Sequence, residues 1–352
     1  MTIERLEELV RPNIRVLAPY STARDEYAGQ PGIFLDANES PYPEGWNRYP
    51  DPHQKALKAE VSRIKGLPAE NIFLGNGSDE AIDLVFRIFC TPERDNAVII
   101  SPSYGMYGIC AAINGVEVRP VPLGKGYSLP VEGIRAACDP STKVVFLCSP
   151  NNPSGNAFSR SSLLELVRST DAIVVVDEAY ADFSSEGSLR SEVLSEPNLI
   201  VLQTFSKAWG MAALRLGMAF ACKRIAALMA NVKYPYNISE AVQRQAIECL
   251  RKSKVESHIR EIISERGRLA GELPRFSFIR EVFRSDANFI LVRVDDADSL
   301  YDKLLADGII VRNRNRVEGC RGCLRITVGL PEENGRLLKS LSEYEKGTLH
   351  RP

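Results

Sequence analysis

The sequence has no surplus of either charge and no long apolar run. Its 44 Lys and Arg residues against 45 Asp and Glu residues give a formal net charge of -1, which argues against nucleic acid or an anionic membrane as the main partner. A membrane helix needs about 20 apolar residues, whereas compact runs such as "AIVVV" (172–176) have the length of a strand. The first residues, "MTIERLEELV", indicate an amphipathic helix without the apolar core of a signal peptide, so we expect a cytoplasmic protein.

Histidine and closely paired cysteines are also scarce. The chain has three histidines, and its eight cysteines are scattered through apolar segments, as expected of mostly free, buried thiols in a reducing compartment. The one close pair, Cys320 and Cys323 in "CRGC", lacks the further ligands that a four-coordinate zinc site needs. It also precedes a strand-like segment rather than opening a helix. We therefore predict no metal site, and a redox role for this pair is not favoured.

A regular alternation of strand and helix patterns is present instead. Short, β-branched, continuously apolar segments alternate with helical patterns such as "SRSSLLELVRS" (159–169). This alternation is typical of an α/β layered domain whose mostly parallel sheet is buried on both faces. The predicted strands of this sheet are 97–101, 117–121, 143–148, 172–177, 199–203 and 218–222.

At 352 residues the chain is long enough for a large domain and a smaller one. We predict a large domain at 46–275, closed by a long helical segment at about 239–273, and a small α+β domain at 276–352. The N-terminal segment, 1–45, is predicted to contain a helix, a loop and a short strand, "IFLDA" (33–37), and to pack with the small domain.

Polar side chains follow three of the predicted strands at the point where each strand ends. The strand at 143–148 continues into "SPNNPSG", the next ends in Asp177 followed by Tyr180, and the strand at 199–203 leads to Lys207. In a parallel α/β sheet, ligands bind at the carboxyl ends of the strands. One such residue alone would fit a helix cap or a turn, but three strand ends together favour a functional site.

The glycine turn "GNGSDE" (75–80) adds a possible anion site. It follows a short strand and opens a helix, so its backbone N–H groups and the helix dipole suit a phosphate. It lacks both the lysine of a P-loop and the spacing of the dinucleotide fingerprint. Alone, Ser78 or Asp79 would fit a helix cap equally well; together with Ser206 and Arg215 the turn could hold one phosphate monoester.

Lys207 lies in "TFSKAWGMAALRLG" (204–217), an otherwise apolar segment, and two interpretations are open. Its stem could be buried while its ammonium reaches water, or its amine could react with a carbonyl. A reactive lysine, a phosphate site and a strand-end aspartate together match the needs of pyridoxal 5'-phosphate. That cofactor requires a lysine amine, an acid at the pyridine nitrogen and donors at the ring oxygen, and a planar ring favours an aromatic neighbour such as Tyr104 or Tyr107.

The ordered set of motifs resembles fold-type I PLP-dependent aminotransferases. The set covers about residues 17–330 and comprises "GNGSDE", "PSYGMY", "SPNNPSG", "VDEAY", "TFSK" and "LRLG". The flanking "LDANESP", "RYPDP" and "GCLRITVG" narrow the resemblance to members that transfer the amino group of histidinol phosphate to 2-oxoglutarate, a step of histidine biosynthesis. The resemblance therefore implies an α/β/α sandwich with a mostly parallel mixed sheet and a smaller α+β domain.

The resemblance also implies a role for each site residue. Lys207 would bond the cofactor and then move the substrate proton, Asp177 would pair with the pyridinium nitrogen, Asn152 and Tyr180 would bond the ring oxygen, and Tyr104 would stack on the ring. The residues that would surround the cofactor phosphate are Gly77, Ser78, Asp79, Thr204, Ser206 and Arg215.

On the substrate side, the resemblance implies that Arg312 and Arg325 grip the anionic end of histidinol phosphate or of glutamate and 2-oxoglutarate. Without it, two solvent-exposed edge-strand arginines would be the simpler interpretation. Tyr20 and Asn38 would contribute from the N-terminal segment, whose polar, glycine-bearing loop suits a lid. Tyr49 would reach the cofactor phosphate of a partner subunit, which makes the expected enzyme a homodimer.

Relatives with the same cofactor site remain as alternatives. A threonine-phosphate decarboxylase and an aromatic amino acid aminotransferase would share the arginines that bind phosphate or carboxylate. A non-catalytic regulatory protein on the same fold is disfavoured, because such proteins usually add a DNA-binding module and this chain has no basic extension before its motifs.

Overall fold

Seven strands form a mixed sheet at the centre of the large domain in the computed structural model, which describes residues 1–20 and 32–349. The sheet order is β1-β7-β6-β5-β4-β2-β3. All neighbours are parallel except β7, which runs antiparallel to both β1 and β6. The strands are β1 (Ile72–Asn76), β2 (Asn96–Ser101), β3 (Glu117–Pro122), β4 (Thr142–Cys148), β5 (Ile173–Asp177), β6 (Leu199–Thr204) and β7 (Leu216–Ala221).

Helices cover both faces of this sheet, because successive side chains of each strand point to opposite faces. Along β4, Val144 and Phe146 join one hydrophobic core while Val145 and Leu147 join the other. The helices over the first core are α1 (Ile3–Leu9), α4 (Gly77–Phe89), α5 (Met106–Ile113) and α8 (Lys223–Val232), and a short helix, α2 (Pro12–Arg15), follows α1. Those over the second core are α3 (Lys55–Lys65), α6 (Val131–Ala137), α7 (Arg160–Ser169) and α9 (Glu240–Lys252). The predicted α/β/α sandwich with a mostly parallel mixed sheet is confirmed.

Local signals set the helix ends. The Ser159 hydroxyl accepts a hydrogen bond from the Ser162 N–H at the start of α7, and Gly66 ends α3 in the left-handed conformation that glycine adopts without strain. The predicted long helix at 239–273 is interrupted at Ser253 and Lys254, so that α9 is followed by a separate α10 (Val255–Glu272).

The N-terminal segment differs from the prediction in two ways. Leu6 and Leu9 of α1 are buried in the core of the large domain, so the expectation that this segment packs with the small domain is wrong for its first helix. The predicted strand at 33–37 is also wrong: these residues have no regular structure, and Ile33 and Leu35 are 90% and 89% exposed. Their apolar pattern suits a strand, but no strand within the described part of the chain pairs with them.

The small domain is a four-stranded antiparallel sheet with helices packed on it. Its strands are β8 (Ile279–Val282), β9 (Phe289–Val294), β10 (Arg312–Asn313) and β11 (Cys323–Thr327), in the order β10-β11-β9-β8, and its helices are α11 (Ala297–Ala306) and α12 (Pro331–Leu349). Arg312 and Arg325 lie opposite each other on β10 and β11. Phe289 of this sheet packs edge-on against Tyr180 of the large domain, with ring centroids 5.1 Å apart.

Within residues 1–20 and 32–349, no helix has the length and apolar character required to cross a bilayer. The same residues contain no cluster of His, Cys, Asp and Glu side chains suited to a metal ion.

Candidate active site

A cavity of about 680 Å³ lies between the carboxyl ends of the large-domain strands and the β10–β11 edge of the small domain. It collects most of the residues that the motifs had singled out, from segments that are distant in sequence. The predicted residues that line it are Gly77, Ser78, Asp79, Tyr104, Asn152, Asp177, Tyr180, Thr204, Ser206, Lys207, Arg215, Arg312 and Arg325.

Asp177 is a buried carboxylate at the end of β5, held by two donors. The Tyr107 hydroxyl donates to its Oδ2 at 2.7 Å, and the Ala179 N–H donates to its Oδ1 at 3.0 Å. Burial raises the pKa of Asp177 to about 6, although the bond from Tyr107 opposes that rise. A buried carboxylate of this kind is stabilised by a cationic partner, so it suits a protonated ring nitrogen in the cavity.

The turn at the start of α4 forms a backbone cradle that depends on two glycines. A Cβ on Gly77, which has a φ of +73°, would lie 2.8 Å from the Arg215 guanidinium. A Cβ on Gly217 would lie 2.2 Å from the carbonyl carbon of Gly77 and from the nitrogen of Ser78. The Gly77 N–H in turn donates to the Arg215 carbonyl at 2.7 Å. These contacts bring the N-terminus of a 13-residue helix and a guanidinium to one wall of the cavity, where a phosphate is favoured.

Two hydroxyls complete this cradle. The Thr204 hydroxyl donates to Ser206 Oγ at 3.0 Å and accepts from the Ser206 N–H at 3.1 Å, so the loop after β6 is fixed. Asp79 lies beside them: its carboxylate accepts a hydrogen bond from the Tyr104 hydroxyl at 3.1 Å and faces the Arg215 guanidinium at 3.4 Å. Asp79 therefore orients Tyr104 and Arg215 through its carboxylate.

Lys207 is exposed to the cavity, whereas the apolar residues around it anchor its loop. Ala208 is buried against Tyr180, and Phe205 is buried in the core of the large domain. The surrounding protein still displaces water from the ammonium, which lowers the pKa of Lys207, and the guanidiniums of Arg325 and Arg215 lower it further. A lysine with a lowered pKa is more often the neutral amine that attacks a carbonyl.

Asn152 joins the two domains across the cavity. Its Oδ1 accepts a hydrogen bond from the Arg325 guanidinium at 2.5 Å, and the same guanidinium lies over the Phe289 ring at 5.1 Å. Tyr180 stands nearby with its ring 5.8 Å from the Lys207 ammonium. Burial raises the pKa of Tyr180, so its hydroxyl stays protonated and available as a donor.

The sequence interpretation missed two functional groups. Arg314 lines the cavity with Arg312 and Arg325, and the hydroxyl of Tyr107, considered only as an aromatic ring, bonds to Asp177. The alternation in "VRNRN" could have indicated Arg314, because residues two apart on an extended segment share a face. Nothing in the sequence indicates which partner the Tyr107 hydroxyl has.

Three of the predicted residues do not line the cavity. Tyr49 is half-exposed and stacks on Tyr236 with ring centroids 4.5 Å apart, while Tyr20 is 70% exposed. Asn38, in the left-handed conformation, is likewise absent from the cavity wall among the described residues. The lid expected at 21–32 lies almost wholly outside the described residues.

The side chains that are present fit pyridoxal 5'-phosphate. The glycine cradle with Arg215 and two hydroxyls matches a phosphate monoester, the buried Asp177 matches a protonated pyridine nitrogen, and the exposed Lys207 amine matches an aldehyde. The cradle would hold the cofactor phosphate, and Asp177 and Asn152 would hold its ring.

Comparisons with known proteins agree with this geometry. Residues 36–341 match the model of the family described as aminotransferase class I and II. The histidinol-phosphate aminotransferase of Parabacteroides distasonis is 51% identical over 341 residues, covering 97% of this chain and 99% of the relative.

Solved structures resemble this chain as well. The crystal structure of the histidinol-phosphate aminotransferase from Clostridium acetobutylicum has a TM-score of 0.79 at 27% identity, covering 86% of this chain and 92% of that one. The enzyme of the same name from Sinorhizobium meliloti, in complex with pyridoxal-5'-phosphate, shares the fold with a TM-score of 0.78 at 23% identity, covering 86% and 83% of the two chains. The chain belongs to the class I and II aminotransferases, which are PLP-dependent transaminases, and within them to the histidinol-phosphate aminotransferase group.

Proposed function

We propose that this enzyme transfers the amino group of L-histidinol phosphate to 2-oxoglutarate, yielding imidazole acetol phosphate and L-glutamate in histidine biosynthesis. The observation that carries the proposal is one cavity with two anion-binding ends, the Gly77–Arg215 cradle and the arginines of β10 and β11. The first end suits the phosphate of the cofactor, and the second suits the anionic end of a substrate. The identity of 51% to a relative of that name supports this donor.

The large-domain residues prepare the cofactor in this proposal. When bound, pyridoxal 5'-phosphate withdraws electrons from the substrate's α-carbon. Asp177 would keep the pyridine nitrogen protonated, Asn152 and Tyr180 would donate to the ring oxygen, and Tyr104 would pack on the ring. Lys207 would bind the cofactor covalently and, once free, would move the proton from the substrate's α-carbon.

The small-domain residues orient the substrate. Arg312 and Arg325 bind the phosphate of the donor or a carboxylate of glutamate, because a guanidinium donates paired N–H groups to either anion. Arg325 is already oriented by Asn152 at 2.5 Å. Substrate binding by Tyr20 and Asn38 stays a prediction, because neither residue lines the cavity among the described residues.

A donor half-reaction tests the proposed chemistry. Histidinol phosphate added to the cofactor-loaded enzyme without an acceptor should bleach the visible absorbance of the lysine-bound cofactor and release imidazole acetol phosphate. Aromatic amino acids, which carry no phosphate, should react at least about tenfold less efficiently, since a substrate that leaves a buried binding group unpaired loses about 1.4 kcal/mol or more. Release of carbon dioxide from threonine phosphate would favour the decarboxylase, and binding of cofactor without turnover of any amine would favour a non-catalytic protein.

We further propose a cytoplasmic homodimer in which Tyr49 reaches the cofactor phosphate of the partner. Exposed apolar side chains close to Tyr49 in the sequence support this assembly, because exposed apolar surface is typical of an interface. They are Ile33, Leu35, Tyr42 and Trp46, which are 90%, 89%, 72% and 66% exposed.

Subunit complementation tests the shared site. Lys207→Ala and Tyr49→Ala proteins should each have little activity, while unfolding and refolding them together should restore it, since the mixed dimer holds one site with both native residues. The unmixed variants, refolded separately, serve as the control. Full activity of Tyr49→Ala alone would contradict the shared site, and a monomer in sedimentation analysis would contradict the dimer.

A further inference from the structure

Three arginines lie together on the small-domain wall of the cavity. Arg312 and Arg325 face each other across the β10–β11 pair, and the Arg314 N–H donates to the Cys323 carbonyl at 2.9 Å, which extends the same pairing. Arg312 and Arg314 are two residues apart on this extended segment, so both side chains project to the same face. All three line the cavity.

These guanidiniums have no acidic partner among the described residues. Elsewhere in the chain arginines are paired closely, as in Arg119 with Asp139 at 2.6 Å and Arg268 with Glu265 at 2.7 Å. In contrast, the Nε atoms of Arg314 and Arg325 are buried and lack any acceptor in this part of the chain. Buried donors without acceptors are unfavourable, and neighbouring guanidiniums repel, so the cluster is incomplete without an anion.

The distribution of charge in the cavity indicates the kind of anion. The carboxylate of Asp79 faces Arg215, and Asp177 lies on the Lys207 side, so both acids belong to the large-domain wall. The uncompensated positive charge is therefore concentrated at the three arginines. A carboxylate offers one negative charge on two oxygens, whereas a phosphate monoester offers nearly two charges on three terminal oxygens. Three guanidiniums match the phosphate monoester better.

The three arginines differ in how they are held. Arg325 is fixed by Asn152 and by the Phe289 ring, independently of any substrate. A residue fixed in this way can serve both substrates of a transaminase. Arg314 has no such side-chain partner among the described residues, and burial together with its two arginine neighbours lowers its pKa. An anion in the cavity would give Arg314 an acceptor, and a doubly charged one would offset the repulsion among the three guanidiniums best.

We propose that Arg314 is the residue that selects phosphate monoester donors over carboxylate substrates, by completing a three-arginine site with Arg312 and Arg325. The identity of the donor rests on the proposed function, whereas the selection of a phosphate monoester rests on the cluster itself. Arg325 binds either substrate, and Arg314 adds contacts that only the phosphate group is large and charged enough to make.

The test is Arg314→Gln in the cofactor-loaded enzyme, with Arg316→Gln as the matched control. Arg316 is exposed and lies two residues further on, outside the cavity lining. Arg314→Gln should raise the KM for histidinol phosphate by about 10- to 100-fold, the value expected for hydrogen bonds to a charged group. The KM for glutamate and the kcat for both should change less than about threefold, and Arg316→Gln should change neither. Equal losses for both substrates, or no loss for histidinol phosphate, would overturn the proposal.

A binding measurement separates this proposal from the identity of the donor. Calorimetric titration of the cofactor-loaded enzyme with phenyl phosphate should give a dissociation constant that Arg314→Gln weakens about 10- to 100-fold, while that of phenylacetate stays unchanged. If histidinol phosphate is not a substrate but this difference is found, the donor assignment fails and the selection stands. If histidinol phosphate reacts but the native enzyme and Arg314→Gln bind phenyl phosphate equally, the proposed selection by Arg314 is wrong and the donor assignment stands. An unchanged melting temperature and cofactor absorbance verify folding of the variant.

Discussion

The two walls of the cavity are built in opposite ways. On the large-domain wall, functional groups are held by internal partners: Asp177 by Tyr107, Ser206 by Thr204, and the Arg215 backbone by Gly77. On the small-domain wall, three arginines share one internal side-chain hydrogen bond among the described residues, from Arg325 to Asn152. A wall with internal partners is organised before its ligand binds, which suits a permanently bound cofactor. The small-domain wall lacks such partners, which suits substrate anions that bind and leave at every turnover.

This comparison predicts different consequences for changes on each wall. Changes on the large-domain wall should weaken cofactor retention or slow both half-reactions equally, because both use the same cofactor. Changes on the small-domain wall should leave the cofactor in place and separate one substrate from the other. A large-domain variant that altered only one half-reaction would contradict the assignment of this wall to the cofactor.

Lys207→Ala should have the largest effect. Lys207 is the only lysine that lines the cavity among the described residues, so its removal should lower kcat by about 10²- to 10⁴-fold in both half-reactions. Borohydride reduction followed by mass spectrometry should show a cofactor adduct on the native chain and none on the variant. Lys223→Ala, which removes an exposed lysine paired with Glu70 at 3.2 Å, should keep both activity and adduct.

Gly217→Ala should have the next largest effect. Its Cβ would lie 2.2 Å from the backbone of Gly77 and Ser78, so the cradle at the start of α4 must shift. We expect a loss of stability on the order of 1–3 kcal/mol and cofactor affinity weakened about 10- to 100-fold. Equilibrium dialysis of the cofactor and urea unfolding measure the two effects. Gly267→Ala is the control, because a Cβ at that position of α10 meets nothing within 4 Å. Normal cofactor affinity of Gly217→Ala would show that the cradle does not bind the cofactor phosphate.

Tyr107→Phe should have a smaller effect that depends on pH. The hydroxyl lowers the pKa of Asp177, which burial has raised from 3.8 to about 6, so its removal should raise that pKa by about one further unit. The carboxylate is charged only above its pKa, so the acidic limb of kcat/KM should move to higher pH, and kcat at neutral pH should fall about twofold with the charged fraction of Asp177. Tyr344→Phe, which removes a hydroxyl bonded to Ser299 at 3.2 Å, should leave the profile unchanged.

The same pKa predicts how the stability of the cofactor-free protein depends on pH. Because the folded-state pKa of Asp177 lies above its unfolded value of 3.8, its contribution to stability is full below that value and is lost as the pH rises through about 6. The full change is on the order of 3 kcal/mol. Asp177→Asn should abolish this part of the pH dependence in urea unfolding, and an unaltered dependence would place the titration elsewhere.

The sequence predicted the large-domain wall better than the small one, for a physical reason. Asp177 and Lys207 follow continuous apolar strands, and the ends of buried parallel strands meet at one sheet edge. Arg314 lies on a short edge segment, where alternating arginines are equally consistent with solvent exposure. The amphipathic pattern of α1 shows that one face is buried but does not identify the domain that buries it. The apolar pattern at 33–37 does not show whether another strand lies beside it to pair with.

Lys65→Met should have the smallest effect: it should raise the free energy of unfolding and lower the activity. This buried lysine, 6% exposed, lies behind the Lys207 loop with its ammonium 5.4 Å from the Trp209 ring, 5.9 Å from the Phe205 ring and 3.7 Å from Asp182. Burial lowers its pKa, so the charged form costs free energy that methionine, of similar length, does not. Asp182, whose side chain is 28% exposed, stays hydrated without its partner, so we expect unfolding in urea to become less favourable by about 1 kcal/mol at neutral pH.

That gain should shrink in alkaline solution, because the folded-state pKa lies below 10.5 and native Lys65 becomes neutral there at lower cost. The loss of the cation from the two aromatic rings should loosen the Lys207 loop and lower kcat about two- to fivefold for both substrates alike. Lys65→Arg, which keeps the charge, should retain kcat without the gain in stability. A Lys65→Met protein whose kcat fell for one of histidinol phosphate and glutamate but not for the other would contradict the separate roles of the two walls. Lys65 lies behind the large-domain wall, which acts on both substrates.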